Sequence, residues 1–172
     1  MALIFQYGSN CLDSQINSEE RLCGDAMFIG KAVVEDFQLA FDVLSERRRC
    51  AAADIVSKPG SKVWGALYEV PDYLIGRETA KAKGRKSMDA IEGEGRNYRR
   101  EMITVRQNND EVVRALTYRV IDPKPDLKTD SEYVGYIVNG LRERRVAEGY
   151  IADVKRIAAA NNPKIATRVA TL

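Results

Sequence analysis

Short apolar runs bounded by turn residues fill the first 120 or so positions, and apolar stripes at helical spacing fill the rest. Leu3–Phe5 reads as a buried strand that stops at Tyr7-Gly8-Ser9-Asn10. Gly8 can turn with φ > 0 at no steric cost, and Ser9 and Asn10 favour turns and helix N-caps. Leu12–Leu22 is polar and rich in capping residues, which predicts a short helix and an irregular connection. Ala26–Val34 and Phe37–Leu44 read as strands joined in a hairpin at Glu35-Asp36. Phe37, Leu39, Phe41 and Val43 share one face at period two. The apolar stretch Ala52–Val56 ends at a turn signal, Lys58-Pro59-Gly60. Lys62–Val70 has the strongest strand composition, and Gly65 inside it marks a bulge or a close backbone approach.

Asp72–Lys83 is poor in apolar residues and reads as exposed. Ser87 caps a short helix, Arg85–Glu92, which ends at Gly93 with Gly95 just beyond. Glu92 at that terminus is a candidate to project into a cavity. Tyr98–Gln107 and Val112–Ile121 read as strands around an Asn108-Asn109-Asp110 turn. Ser131 caps a helix with Val134, Ile137, Val138 and Leu141 on one face. Tyr150, Ile151, Val154, Ile157 and Ala158 form a second stripe, stopped by Asn161-Asn162-Pro163. The expectation is one domain over residues 1–162 and a loose tail over 163–172. Clustered strands followed by helices predict an α+β fold, a small and mainly antiparallel β-barrel with flanking helices. No Gly-rich βαβ fingerprint is present.

Composition narrows the partners. Lys plus Arg number 27 against 25 Asp plus Glu, a formal charge of +2. That balance argues against nucleic acid and against an anionic membrane surface. No apolar run has the length of a membrane span, and the first residues lack signal-peptide character. Three cysteines without metal spacing, Cys11, Cys23 and Cys50, fit free thiols in a reducing cytoplasm. Arg47-Arg48-Arg49 reads as a solvated surface run. There is no histidine. Imidazole-based triads are therefore excluded and a zinc site is disfavoured. Acid–base chemistry near neutral pH falls to a perturbed carboxylate, Lys, Tyr or Cys.

Four stretches, taken together, resemble one family. Phe5-Gln6-Tyr7-Gly8-Ser9-Asn10 resembles the Tyr-Gly-Ser-Asn loop of the γ-glutamylcyclotransferases. Lys58–Val70 resembles that family's Pro-Gly, Val-Trp-Gly and Tyr-Glu strand. Met88-Asp89-Ala90-Ile91-Glu92-Gly93, followed by Tyr98 and Val105, is similar to its Leu-Asp-x-x-Glu-Gly, Tyr and Val pattern. Ser131-Glu132-Tyr133, with Ile137 and Gly140, resembles its Ser-x-x-Tyr helix start. The likeness runs to about Ala160. It implies a small barrel and a cofactor-free reaction. A γ-glutamyl amine or dipeptide is cyclised by its own α-amine to 5-oxoproline. By the same resemblance Glu92 is the general acid/base, and Phe5, Gln6, Tyr7, Gly8, Ser9, Asn10 and Tyr133 form the substrate site. The expected partner is a small γ-glutamyl molecule, met by a monomer or homodimer.

This chain departs from the pattern at Cys11, at Met88, at the arginines of 47–53 and in the 142–149 link. Asn10 also differs from the Tyr-Gly-Ser-Leu of the glutathione-specific branch. Two other classes stay open at this point. One is a barrel that binds a carboxylated metabolite without turnover. The other is a binding module using Arg47–Arg49 and Arg99-Arg100. Glu94 is the nearest alternative carboxylate.

Overall fold

The computed structural model describes residues 1–172. Five strands, β1 (Ala2–Gln6), β2 (Met27–Ser45), β3 (Cys50–Val70), β4 (Tyr98–Gln107) and β5 (Val112–Val120), close a barrel in the order β1-β3-β2-β4-β5. Neighbours are antiparallel except at the β1–β5 seam, which is parallel and bridges at Ile4 and Leu116. Helices α1 (Asp13–Ile16), α2 (Arg77–Lys81), α3 (Met88–Glu92), α4 (Ser131–Glu143), α5 (Glu148–Asn161) and α6 (Ala166–Ala170) flank it. No helix is long and apolar enough to cross a membrane. The α+β barrel predicted from the strand pattern is the observed architecture.

The arrangement of β2 and β3 differs from expectation. They form one hairpin of 19- and 21-residue strands, turning after Ser45 and re-pairing at Cys50. There is no hairpin at Glu35-Asp36. Asp36, at φ 61°, stands alone opposite residues 58–61. Gly60, at φ 76°, donates its N–H to Asp36 Oδ1 at 2.8 Å. The Pro-Gly turn is therefore folded into the strand as a bulge, which bends the ladder without ending it.

At α3 the local signals act as read. Ser87 Oγ accepts the Ala90 N–H at 3.1 Å, and Gly93 ends α3 at φ 70°. At α4 the cap is Asp130 and not Ser131, since Asp130 Oδ1 accepts the Tyr133 N–H at 2.7 Å. A carboxylate one residue earlier serves the same free N–H groups and also meets the positive end of the helix dipole.

The core joins the barrel interior to the inner faces of α4 and α5. Phe5, Leu67, Tyr68, Ile137, Leu141 and Ile151 are all fully buried. Two glycines set how closely the layers approach. A Cβ on Gly65 would lie 2.1 Å from the Gln6 carbonyl oxygen and 2.9 Å from Phe5 Cε2. A Cβ on Gly140 would lie 2.5 Å from the Leu12 nitrogen. Strand β3 and helix α4 thus press directly on the backbone that enters and leaves the 7–10 loop.

Residues 163–172 are not a loose tail. Ile165 and Val169 are buried, and the Leu172 carbonyl oxygen accepts from Arg142 and Lys155, each at 2.9 Å.

Gly65→Ala is expected to cost about 3 kcal/mol in urea unfolding, since the added carbon meets backbone that cannot rotate away. Gly149→Ala, in open space in α5, is expected to stabilise by about 0.5–1 kcal/mol in the same assay.

Candidate active site

Strand β1 delivers Gln6 and Tyr7, and the chain then bends through Gly8 into a 3-10 turn over Ser9–Cys11. Gly8 sits at φ −99°, so the positive φ expected there is not found. Glycine is favoured for space instead, since a Cβ would lie 3.3 Å from Tyr133 Oη and 3.5 Å from Ala53 Cβ. The Gly8 and Ser9 carbonyls accept from the N–H groups of Cys11 and Leu12, at 3.0 and 3.2 Å. The N–H groups of Gly8, Ser9 and Asn10 find no acceptor within the turn, as at any helical N-terminus.

Helix α3 brings Glu92 to this loop from the other side. Asn10 Nδ2 donates to Glu92 Oε1 at 2.8 Å, across 82 positions of sequence. Arg21 Nη1 in turn donates to Asn10 Oδ1. Glu92 as a whole keeps some solvent access, but packed protein surrounds its carboxylate. Lost hydration raises its pKa, while the Arg21 charge and hydrogen bonds from Asn10 and Gln6 pull it partly back.

A cavity of about 40 Å³ lies between the loop and the helix end. Gln6, Tyr7, Gly8, Ser9, Asn10, Glu92 and Tyr133, the residues named from the resemblance, line it. Phe5 does not. It is fully buried in the core, and only its carbonyl takes part nearby, accepting from Thr117 Oγ1 at 3.0 Å. Because side chains alternate along a strand, Phe5 and Gln6 face opposite sides of β1. Cys11, just after the loop, is also turned away. Its thiol donates to the Gln6 carbonyl at 3.0 Å, and burial pushes its pKa up to about 12.

Sequence reasoning did not place Tyr98, Tyr118 and Ala53 in the lining. Tyr98 belonged to a recognised pattern, but nothing in the strand says which face turns inward. The four tyrosines differ in what their hydroxyls do. Tyr7 donates to the Tyr118 carbonyl. Tyr98 donates to the Ala53 carbonyl at 2.8 Å, and Tyr118 to Asp89 Oδ1 at 2.8 Å. Asp89 is held in turn by Arg100, through contacts of 3.1 and 2.9 Å. Tyr133 instead accepts, from the Ala53 N–H at 3.0 Å, which leaves its own O–H uncommitted. Burial raises all four pKa values, that of Tyr133 to about 12, so these phenols stay protonated at neutral pH.

Glu94, the alternative carboxylate, pairs with Arg77 at 3.0 Å and is absent from the lining. Arg48 is not freely solvated as expected. Its guanidinium lies 4.4 Å from the Tyr136 ring and 5.4 Å from the Tyr133 ring. The largest cavity, about 530 Å³, is elsewhere, between α5 and the β2–β3 bulge. Its one carboxylate, Asp153, already pairs with Arg156 at 3.1 Å, and none of the predicted site residues reaches it.

The fold agrees with known proteins. The chain belongs to the gamma-glutamyl cyclotransferase, AIG2-like family, whose model matches residues 4–136. Among solved structures it is similar to a gamma-glutamyl cyclotransferase at 20% identity and a TM-score of 0.73, over 90% of this chain and 86% of that one. It is similar to an uncharacterized Homo sapiens protein at 22% identity and TM-score 0.74, with the same coverages, 90% and 86%. A yeast gamma-glutamyl cyclotransferase specific to glutathione shares the fold more distantly, at 10% identity and TM-score 0.52, over 92% of this chain and 98% of that one. A sequence comparison with curated proteins finds no match.

Glu92 carries a testable linkage. A carboxyl with a raised folded-state pKa costs stability once pH climbs above its unfolded value, because the folded chain must then hold the charge. Glu92→Gln is therefore expected to be more stable than the parent at pH 7. The gap should close as pH falls toward the unfolded glutamate pKa of about 4.3, in pH-dependent thermal melts.

Proposed function

We propose that this chain is a cofactor-independent γ-glutamylcyclotransferase. It converts a γ-glutamyl amine or γ-glutamyl peptide to 5-oxoproline and the free amine or amino acid. The observation that carries the reading is the desolvated Glu92 carboxylate held against the loop by Asn10. A pocket built only to hold an anionic metabolite gains nothing from a carboxylate whose hydration has been removed.

The chemistry needs no protein nucleophile. The substrate's α-ammonium gives one proton to Glu92, and the freed nitrogen attacks the γ-carbonyl carbon. The resulting oxyanion is met by the free N–H groups of the Gly8–Asn10 turn. The tetrahedral centre then collapses as Glu92 returns its proton to the leaving nitrogen and the bond to that nitrogen breaks. The second proton of the ring nitrogen passes through the freed Glu92 carboxylate to the released amine, leaving neutral 5-oxoproline and an ammonium group. A raised Glu92 pKa makes both proton transfers closer to balanced than an ordinary glutamate would. Asn10 holds the carboxylate in place, and the uncommitted Tyr133 O–H is a further donor for the substrate. The inner cavity of about 40 Å³ is too small for a whole glutamyl head, which would also occupy the adjoining space of about 270 Å³ that shares Glu92 and Tyr133. Withdrawal of one oxyanion donor typically costs about 3 kcal/mol of barrier.

Glu92→Gln is expected to lower 5-oxoproline release at least ~100-fold while circular dichroism stays unchanged. Retention of most of the activity removes Glu92 from the base role. Glu94→Ala is expected to stay within about threefold of the parent rate, as for a surface ion pair outside the site. In a pH–rate profile, kcat/KM should fall on the acid side at a pH above the ordinary glutamate range, because the carboxylate form of Glu92 is the active one.

A further inference from the structure

Above Glu92 the inner cavity opens into a wider one of about 270 Å³, and the two share Ser9, Asn10, Glu92, Tyr98 and Tyr133. Four arginines line the outer space, Arg21, Arg47, Arg48 and Arg96, against two carboxylates, Glu46 and Glu92. Two of the four are neutralised at the surface. Arg47 pairs with Glu20 at 2.7 Å, and Arg96 pairs with Glu46 at 3.3 Å.

Arg48 and Arg21 are different. Neither has a carboxylate within ion-pair distance, and each donates to an amide oxygen instead. Arg48 reaches Gln15 Oε1 at 2.7 Å, and Arg21 reaches Asn10 Oδ1. Asp130 and Glu132 border the neighbouring depression with Arg48. Asp130 Oδ1 is committed to the Tyr133 N–H, and Glu132 Oε1 accepts from Tyr136 at 3.4 Å. The Arg48 fork is also held over the rings of Tyr136 and Tyr133, so it is oriented before any ligand arrives.

We infer that the leaving group of the substrate is itself acidic, carrying two negative charges, and that Arg48 and Arg21 hold it. The inference rests on the cyclotransferase reading and narrows it to γ-glutamyl conjugates of acidic amino acids, in which the second residue has an α-carboxylate and a side-chain carboxylate. Two guanidiniums lacking carboxylate partners line the same outer cavity as Glu92, within which the leaving residue would extend once the γ-carbonyl meets Glu92 and the Gly8–Asn10 turn. Like charges so close repel, and a dianion between them removes the repulsion and adds charge-assisted hydrogen bonds. The step that consumes the Glu92 charge strengthens the need. Once Glu92 has taken the substrate proton, Arg21 has no counter-charge other than the leaving group.

The test compares two substrates of nearly equal size, γ-glutamyl-glutamate and γ-glutamyl-glutamine, by 5-oxoproline release at low ionic strength. The expected kcat/KM ratio is about tenfold or more in favour of the acidic dipeptide. Arg48→Met should bring that ratio close to one, and Arg48→Lys should keep part of it. Equal rates for the two dipeptides, or a ratio that Arg48→Met leaves unmoved, overturn the inference while leaving the cyclotransferase reading intact. If neither dipeptide yields 5-oxoproline, the cyclotransferase reading fails for these substrates. Calorimetric binding of γ-glutamyl-glutamate then decides the arginine role. A tenfold loss of affinity in Arg48→Met supports it, and equal or absent binding overturns it.

Discussion

The Asn10–Glu92 hydrogen bond is the contact on which the rest of the site depends. It ties a loop at the end of the first strand to the last residue of a one-turn helix from the middle of the chain. Its length is set by packing that lies outside it. Gly65 lets β3 run against the Gln6 carbonyl, and Gly140 lets α4 touch the backbone at Cys11 and Leu12. The loop is thus clamped from two sides by backbone, which cannot relax as a side chain would. Ser87 and Gly93 fix where α3 begins and ends, and so where Glu92 emerges.

The surrounding polar groups follow one rule. Each of the four tyrosine hydroxyls in the lining is bound to something fixed, and three of the four spend their proton on the protein. Tyr118 reaches back to Asp89, which Arg100 neutralises, so the wall is anchored through β4 and β5 to the barrel surface. This satisfies the cost of burying polar atoms. It also leaves few groups able to change partners, namely the Glu92 carboxyl, the Tyr133 proton and the N–H groups of the first turn.

Much of this was legible in the sequence where the signal is local. Strand β4, the Asn108-Asn109-Asp110 turn, the Ser87 cap and the Gly93 stop depend on residues a few positions apart, and they formed as read. The same locality misled elsewhere. Asp36 and Pro59-Gly60 each look like the end of a strand, but they meet across the ladder and make a bulge in a longer hairpin. Phe5 shared a motif with Gln6 and Tyr7, yet the strand's alternation sends it into the core. Gly8 was read for its φ, whereas the constraint is the Tyr133 hydroxyl, from a helix more than a hundred residues later. Arg48 sat in a charged run that reads as solvent-facing, and only the folded chain brings Tyr136 beneath it. Such positions are decided by partners that no window of sequence contains.

The parallel seam of the barrel has a consequence for how the molecule comes into being. Strand β1 is made before the strands that flank it, yet one of its edges pairs with 66–70 and the other is covered only near Leu116. Until then its amides and carbonyls stand open, and closure spans a long stretch of chain, which slows folding and exposes an adhesive edge. The loop beyond β1 takes its final shape only after that, when α4 arrives to press on it. Vectorial synthesis therefore completes the pocket only after α4 is made, although its first wall precedes every other strand.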